Sequence, residues 1–183
     1  MGQMDKAEKM FTEAAGIRKE ISGVLNDDYA TTLNSIAKIY QARGKSSLTK
    51  DMQLEDFSKA EKMFLESLNI RKEKLGVKNT GYALSLNNLA ALYVNIGNSV
   101  SIKDSSLPNY IKAESLYVEA KNIYRDVLGE KNSNYAIVLN NLALLYQSMC
   151  RYKDAFLSFS EFLKIQYYNI QNNFSFMSGI EKE

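Results

Sequence analysis

The 183-residue chain has no histidine and no tryptophan, and it has one cysteine and one proline. Without histidine, Ser-His-Asp and Cys-His catalytic arrangements are excluded, as are most zinc and haem sites. The expectation is therefore no catalytic residue, no metal and no cofactor. Cys150 can form neither an internal disulfide nor a Cys-x-x-Cys site, and with only Arg151 beside it the thiol reads as an ordinary turn residue. One proline argues for long, uninterrupted helices. A dominant charge is missing too: 23 basic residues against 21 acidic ones leave +2, too little for a nucleic-acid or anionic-membrane footprint. The longest apolar run, Leu89 to Val94, is far short of the roughly 20 residues that span a bilayer, and the opening residues turn charged at once. A cytoplasmic protein with no nucleic-acid or membrane partner is expected. What remains is ordinary globular composition, 45% apolar and 24% charged, in a chain long enough to bury roughly 70% of its unfolded surface.

The sequence is built from repeats. Tyr29-Ala30, Tyr82-Ala83 and Tyr135-Ala136 stand 53 residues apart, and each is followed by a version of LNNLAALYVNIG. A second segment type alternates with the first, beginning at Ala7, Ala60 and Ala113, again 53 apart, with a last copy at Ala155 only 42 residues on. In the first type Leu86, Leu89, Ala90 and Tyr93 lie at i, i+3, i+4 and i+7, one face of a helix. Ala60, Met63, Phe64, Ser67 and Ile70 draw a similar stripe on the second type, with an alanine small enough for close helix approach. Gly23, Gly76 and Gly129 are placed to end the second-type helices, and Asp27, Thr80 and Ser133 to cap the first-type ones.

This pattern predicts an all-α fold of antiparallel helix pairs. Seven helices are expected, at about 4–23, 27–43, 55–75, 80–96, 108–128, 133–149 and 152–172. Residues 45–56 and 98–109 are expected to be inserts that add 11 residues to a unit of 42, as solvated loops, short helix extensions or recognition loops. Ser106 and Pro108 read as a helix start, and residues 173–183 as a tail or linker.

The series L-x-x-L-A-x-x-Y-x-x-x-G, followed by an alanine and then an aromatic four residues later, resembles the tetratricopeptide repeat. The I-R-K-E-x-x-G segment with Y-A-x-x-L-N-N-L-A is similar to the kinesin-light-chain-like subtype. Departures are the Asn-Asp, Asn-Thr and Asn-Ser pairs where that subtype usually has His-Pro, and Cys150 at the position of Gly44 and Gly97. The resemblance implies a right-handed superhelical solenoid whose first-type helices line a concave groove. It also implies a non-enzymatic module that binds a protein or peptide.

In related repeats the asparagine at the position of Asn88 and Asn141, occupied here by Ser35 in the first copy, binds the backbone of an extended peptide, with the arginine at Arg71 beside it. Asn34, Asn87, Asn140 and Lys38 flank these positions and join the candidate set. An asparagine amide both donates and accepts, which suits any peptide bond; the alternative is that these amides bond neighbouring helices. Leu84, Ile137 and Leu144 also lie on this side, either as an apolar part of the groove or as packing between successive repeats.

The C-terminal stretch departs from the pattern. Residues 156–183 hold seven of the chain's 20 aromatics; Phe156 replaces the glutamate found at positions 8, 61 and 114, and Phe162 replaces Ala14, Ser67 and Ala120. Terminal helices of such arrays are expected to turn polar outward. Phe156 and Phe162 are therefore expected to meet an adjoining C-terminal domain or a second copy, unless Phe174 and Phe176 fold back over them. The closing NFSFMSGIEKE resembles the segment that follows the last repeat in bacterial proteins joined to a caspase-like CHAT protease domain. A regulatory arm of such a protein, and a structural spacer or self-association element, are the alternatives to a peptide-binding module.

Overall fold

The structure, a computed structural model, describes residues 2–99 and 103–180, with side chains for 2–99 and 107–172. Among the described residues there are seven helices and no strand: α1 (Gln3–Ser22), α2 (Asp27–Ser46), α3 (Lys50–Leu75), α4 (Thr80–Ser99), α5 (Lys103–Leu128), α6 (Ser133–Ser148) and α7 (Tyr152–Ile180). Each of α2, α4 and α6 packs against the helix before it and the helix after it. In addition α2 touches α4 and α4 touches α6, so the three form a row, whereas α1 meets only α2 and α7 meets only α6. The result is a solenoid of helix pairs.

The repeated stripes form the core. Leu86, Leu89, Ala90 and Leu92 of α4 are buried against Phe64 of α3 and Tyr117 of α5, and each large side chain so buried contributes roughly 1.5–3 kcal/mol. Ala60, Ala83, Ala113 and Ala136 have no accessible surface, which is where neighbouring helices come nearest. Each first-type helix also carries two tyrosines whose hydroxyls donate to glutamates on both flanks. Tyr40 reaches back to Glu8 (2.6 Å) and Tyr93 to Glu61 (2.6 Å), while Tyr29 reaches forward to Glu66 (3.0 Å) and Tyr135 to Glu161 (2.6 Å). Tyr82 with Glu119 and Tyr146 with Glu114 complete the series.

Several local expectations are corrected. The residues that accept the free amides of the first-type helices are Asn26, Asn79 and Asn132, one position before Asp27, Thr80 and Ser133. Asn26 Oδ1 takes the amides of Asp28 and Tyr29, Asn79 Oδ1 that of Gly81, and Asn132 Oδ1 that of Asn134. A short carboxamide reaches an amide two residues on, and asparagine is among the best N-caps. The three cap glycines do have positive φ, 75°, 76° and 83°.

The inserts are largely helical. α2 runs on to Ser46 and α3 begins at Lys50, capped by Thr49 Oγ1, which accepts from the Met52 amide at 3.3 Å. The extension is held rather than merely solvated: Gln53 donates to the Gly44 carbonyl at 3.2 Å, and the Asp56 carboxylate receives Arg43 at 2.8 Å. In the second insert α4 reaches Ser99 and α5 starts at Lys103, so Pro108 lies inside α5 instead of in its first turn. The expected start at Ser106 concerns a side chain outside the described ones. Residues 173–180 continue α7 as helix rather than forming a tail. The side chains of Phe174 and Phe176, and residues 181–183 of the CHAT-like closing segment, lie outside the described residues.

Gly44 and Gly97 are helix residues and not turn residues. A Cβ on Gly97 would stand 2.5 Å from the Tyr110 ring, and one on Gly44 2.7 Å from the Phe57 ring. Cys150, in their place, sits exposed beyond the end of α6 at φ 57°. Gly16 of α1, by contrast, has nothing within 4 Å of where its Cβ would be. Gly97→Ala is therefore expected to destabilise by about 1–3 kcal/mol through overpacking, and Gly16→Ala to stabilise by about 0.5–1 kcal/mol through helix propensity. Urea midpoints of the two variants moving in the same direction would contradict this assignment.

Candidate functional site

The candidate residues lie on the row formed by α2, α4 and α6, where positions 53 apart are equivalent. Asn34 and Asn88 are buried, Asn88 being only 8% exposed. Asn34 Nδ2 donates to Ser67 Oγ at 2.5 Å and to the Ala30 carbonyl at 3.2 Å, and Asn34 Oδ1 accepts from Asn88 Nδ2 at 3.4 Å. One step along the row, Asn141 Nδ2 donates to Asn87 Oδ1 at 2.9 Å. Two carboxamide pairs thus tie α2 to α4 and α4 to α6. Asn87 and Asn141 are half-buried and keep open one donor and one acceptor respectively, and Asn140 makes no hydrogen bond among the described residues. Ser35 is half-buried and donates to the Thr31 carbonyl at 3.1 Å, while Lys38 is exposed.

Leu84, Ile137 and Leu144 are exposed on this row, Leu84 and Ile137 at equivalent positions. The equivalents of Leu84 and Leu144 on α2 are Thr31 and Lys38. The surface therefore changes along the row from polar and basic at α2 to apolar at α6.

Arg71 is not on that surface. It is 3% exposed and enclosed between α2, α3 and α4. Its Nε donates to Asp27 Oδ1 at 2.8 Å, and its two terminal nitrogens donate to Thr31 Oγ1 (2.7 Å), Ser85 Oγ (3.1 Å) and the Gly81 carbonyl (3.2 Å). Arg18 makes the corresponding bonds one repeat earlier, to the Asp28 carbonyl at 2.9 Å and to Thr32 Oγ1. In the third copy the position is Tyr124, buried, with its hydroxyl pushed up to about 12 by burial while the Arg71 charge pulls it back. The resemblance implied a place beside the groove for this arginine; in the structure its side of α3 is instead closed in by α2 and α4. The alternation of arginine with threonine and serine at matching repeat positions was the available signal.

The paired Tyr–Glu bonds were also missed, although Tyr40, Tyr93 and Tyr146 and Glu8, Glu61 and Glu114 each recur at the repeat period. At the C-terminal end Phe162 is partly buried against the core, and its ring centroid lies 5.7 Å from that of Phe159. The expectation that Phe162 faces a partner is corrected. Its equivalents Ser67 and Ala120 sit between two helices of the row, whereas α7 has only α6 beside it, which leaves room for a phenyl ring. Phe156 is exposed. Among the described residues no group of three or more Cys, Asp or Glu is placed to hold a metal, and no helix is long and apolar enough to cross a membrane.

Residues 107–166, covering most of α5, all of α6 and the packed half of α7, match the family model of the tetratricopeptide repeat. The fold is a tetratricopeptide-repeat solenoid. No curated protein matches the sequence. Among solved structures, BtubC (BKLC) from P. vanneervenii superposes with a TM-score of 0.53 at 17% identity, over 92% of this chain and 75% of that one. A Podosopora anserina chain of nearly identical TPR-like repeats, named after kinesin light chain, covers 92% of this chain and 89% of its own at 14% identity, with a TM-score of 0.46. Tetratricopeptide repeats are in general protein-interaction modules, and this array has their helix pairs and their continuous row of first-type helices.

Proposed function

We propose that the α2–α4–α6 row is a non-catalytic peptide-binding groove that holds an extended segment of a protein partner. The observation that carries this reading is the exposure of Leu84, Ile137 and Leu144 on the row, next to the open carboxamide groups of Asn87, Asn140 and Asn141. Exposed aliphatic side chains beside amides that can both donate and accept suit a peptide backbone whose alternate side chains are apolar. The residues that bear the binding are then Asn87, Asn140, Asn141, Leu84, Ile137 and Leu144, with Ser35 and Lys38 at the α2 end. There Lys38 suits an acidic residue of the peptide. Asn34, Asn88 and Arg71 hold the row together and act on binding only through its shape.

A peptide library displayed on phage and selected on the array supplies the test. Enriched sequences are expected to carry apolar residues at alternate positions. The double variant Leu84→Asp/Ile137→Asp is expected to weaken a selected peptide at least tenfold with little change in melting temperature, since both side chains are already exposed. Selected peptides that bind the double variant as well as the parent would place binding elsewhere.

A further inference from the structure

The outer face of α7 carries a seam of apolar side chains that nothing in the described chain covers. Phe156 (70% exposed), Phe159 (44%), Leu163 (49%), Tyr167 (64%) and Ile170 (51%) follow one another at spacings of three, four, four and three residues. That is the 3.5-residue period of a helix that pairs with another helix along its length. In the sequence the spacing continues to Phe174 and Met177, and residues 165–180 contain no charged side chain at all. A solvated helix face is ordinarily polar and charged.

The seam is not the seat of another repeat. In α3 the following first-type helix rests on Ala60, Phe64, Ser67 and Arg71, and in α5 on Ala113, Tyr117, Ala120 and Tyr124, all of them buried. The equivalent seat on α7 is Ala155, Phe159, Phe162 and Gln166. Phe159 belongs to both, but Phe156, Leu163 and Tyr167 are turned from that seat by about one residue, roughly 100° of helix, and Phe156 and Tyr167 fall where α3 and α5 carry Glu61 and Glu114, and Lys72 and Arg125. Phe156 also removes the carboxylate that Glu8, Glu61 and Glu114 offer to the tyrosine of the next helix. A further repeat in register would leave that hydroxyl without its acceptor.

We infer that this seam pairs with the α7 seam of a second copy of the chain, making a two-fold symmetric dimer. An isologous contact sets a surface against itself, so like charges on it would repel; this seam has none, and its apolar positions are self-complementary in spacing. The five side chains together expose roughly 500 Å², so pairing two copies removes about 1,000 Å² from water, the lower bound of a specific interface. The seam meets the α6 end of the groove, where Leu144 lines one pocket with Phe156 and Phe159; Leu84, on α4, lies outside that pocket.

Sedimentation equilibrium of the 183-residue protein at concentrations from micromolar to about a hundred micromolar tests the inference. A reversible monomer–dimer equilibrium is expected, and the exposed-site double variant Leu163→Glu/Tyr167→Lys is expected to weaken self-association at least tenfold with unchanged helix content. Leu84→Asp, in the groove, is expected to leave it unaltered. A protein that stays monomeric throughout this range, or a dimer that survives the α7 double variant, would overturn the assignment.

Discussion

Arg71→Ala is expected to lower the stability of the array by about 3 kcal/mol, the range found when a buried charge network loses its centre. One guanidinium, almost without solvent, satisfies the Asp27 carboxylate, two hydroxyls and a backbone carbonyl from α2 and α4. Its removal leaves Ser85 and the Gly81 carbonyl short of a donor and opens a void among α2, α3 and α4. Asp27 is half-exposed and recovers solvation, which keeps the loss below the extreme for buried pairs. Arg71→Lys should recover only part, because an ammonium cannot spread its donors over a planar fork. Urea unfolding followed by circular dichroism reads both variants. If the midpoint hardly moved while peptide affinity fell, Arg71 would belong to the binding surface after all.

The second large effect is alkaline. Burial, reinforced by hydrogen bonds to glutamates, raises the hydroxyls of Tyr29, Tyr40, Tyr82, Tyr93 and Tyr135, and burial alone raises Tyr117; Tyr124 and Tyr146 are pushed up to about 12. In the unfolded chain all of them ionise near 10. Above that pH the folded state therefore binds more protons than the unfolded state, and stability falls as pH rises. The contribution is complete below about pH 10 and is lost progressively as pH rises past it through the raised values. With no histidine to titrate, stability should be nearly flat between about pH 5 and 9. Tyrosinate absorbance is expected to rise first from exposed Tyr168, which hydrogen bonds to Asn172 and Lys131 hold below the usual value, and later, together with loss of helix content, from the eight raised hydroxyls. Ionisation of all the tyrosines near 10 with the helices intact would show the eight hydroxyls to be in free exchange with solvent.

The parts of this fold that depend on apolar periodicity were readable from the sequence. The stripes through Leu33, Leu86 and Leu139 and the alanines at 60, 113 and 155 gave the helix types, their alternation and their number. The inserts were harder, since KSSLTKDMQLED has no stripe; what makes it helical is Thr49 as a cap and Arg43 and Gly44 as partners from the preceding helix. The candidate site was readable only as a row. Which amides on that row remain open depends on how far each helix is turned against its neighbour, and Asn34 with Asn88, and Asn87 with Asn141, are matched one residue off the repeat period. Phe162, expected to face a partner, packs against the core for a related reason: its burial depends on a neighbouring helix that exists in the inner pairs and not beside α7.

The order of contacts along the solenoid also decides how the protein comes apart. α1 meets α2 alone and buries little more than Ala15, while α4 is gripped by α2, α3, α5 and α6. In a chain of nearest-neighbour contacts the free energy of opening is local, so it climbs from α1 to the middle of the array and drops again toward α7. Detaching α1 would free Tyr40 and Arg43 from Glu8 and leave the α4–α5 pair intact. The N-terminal helix is thus the element that a competing helix could displace at least expense, with the groove of the inner repeats left standing.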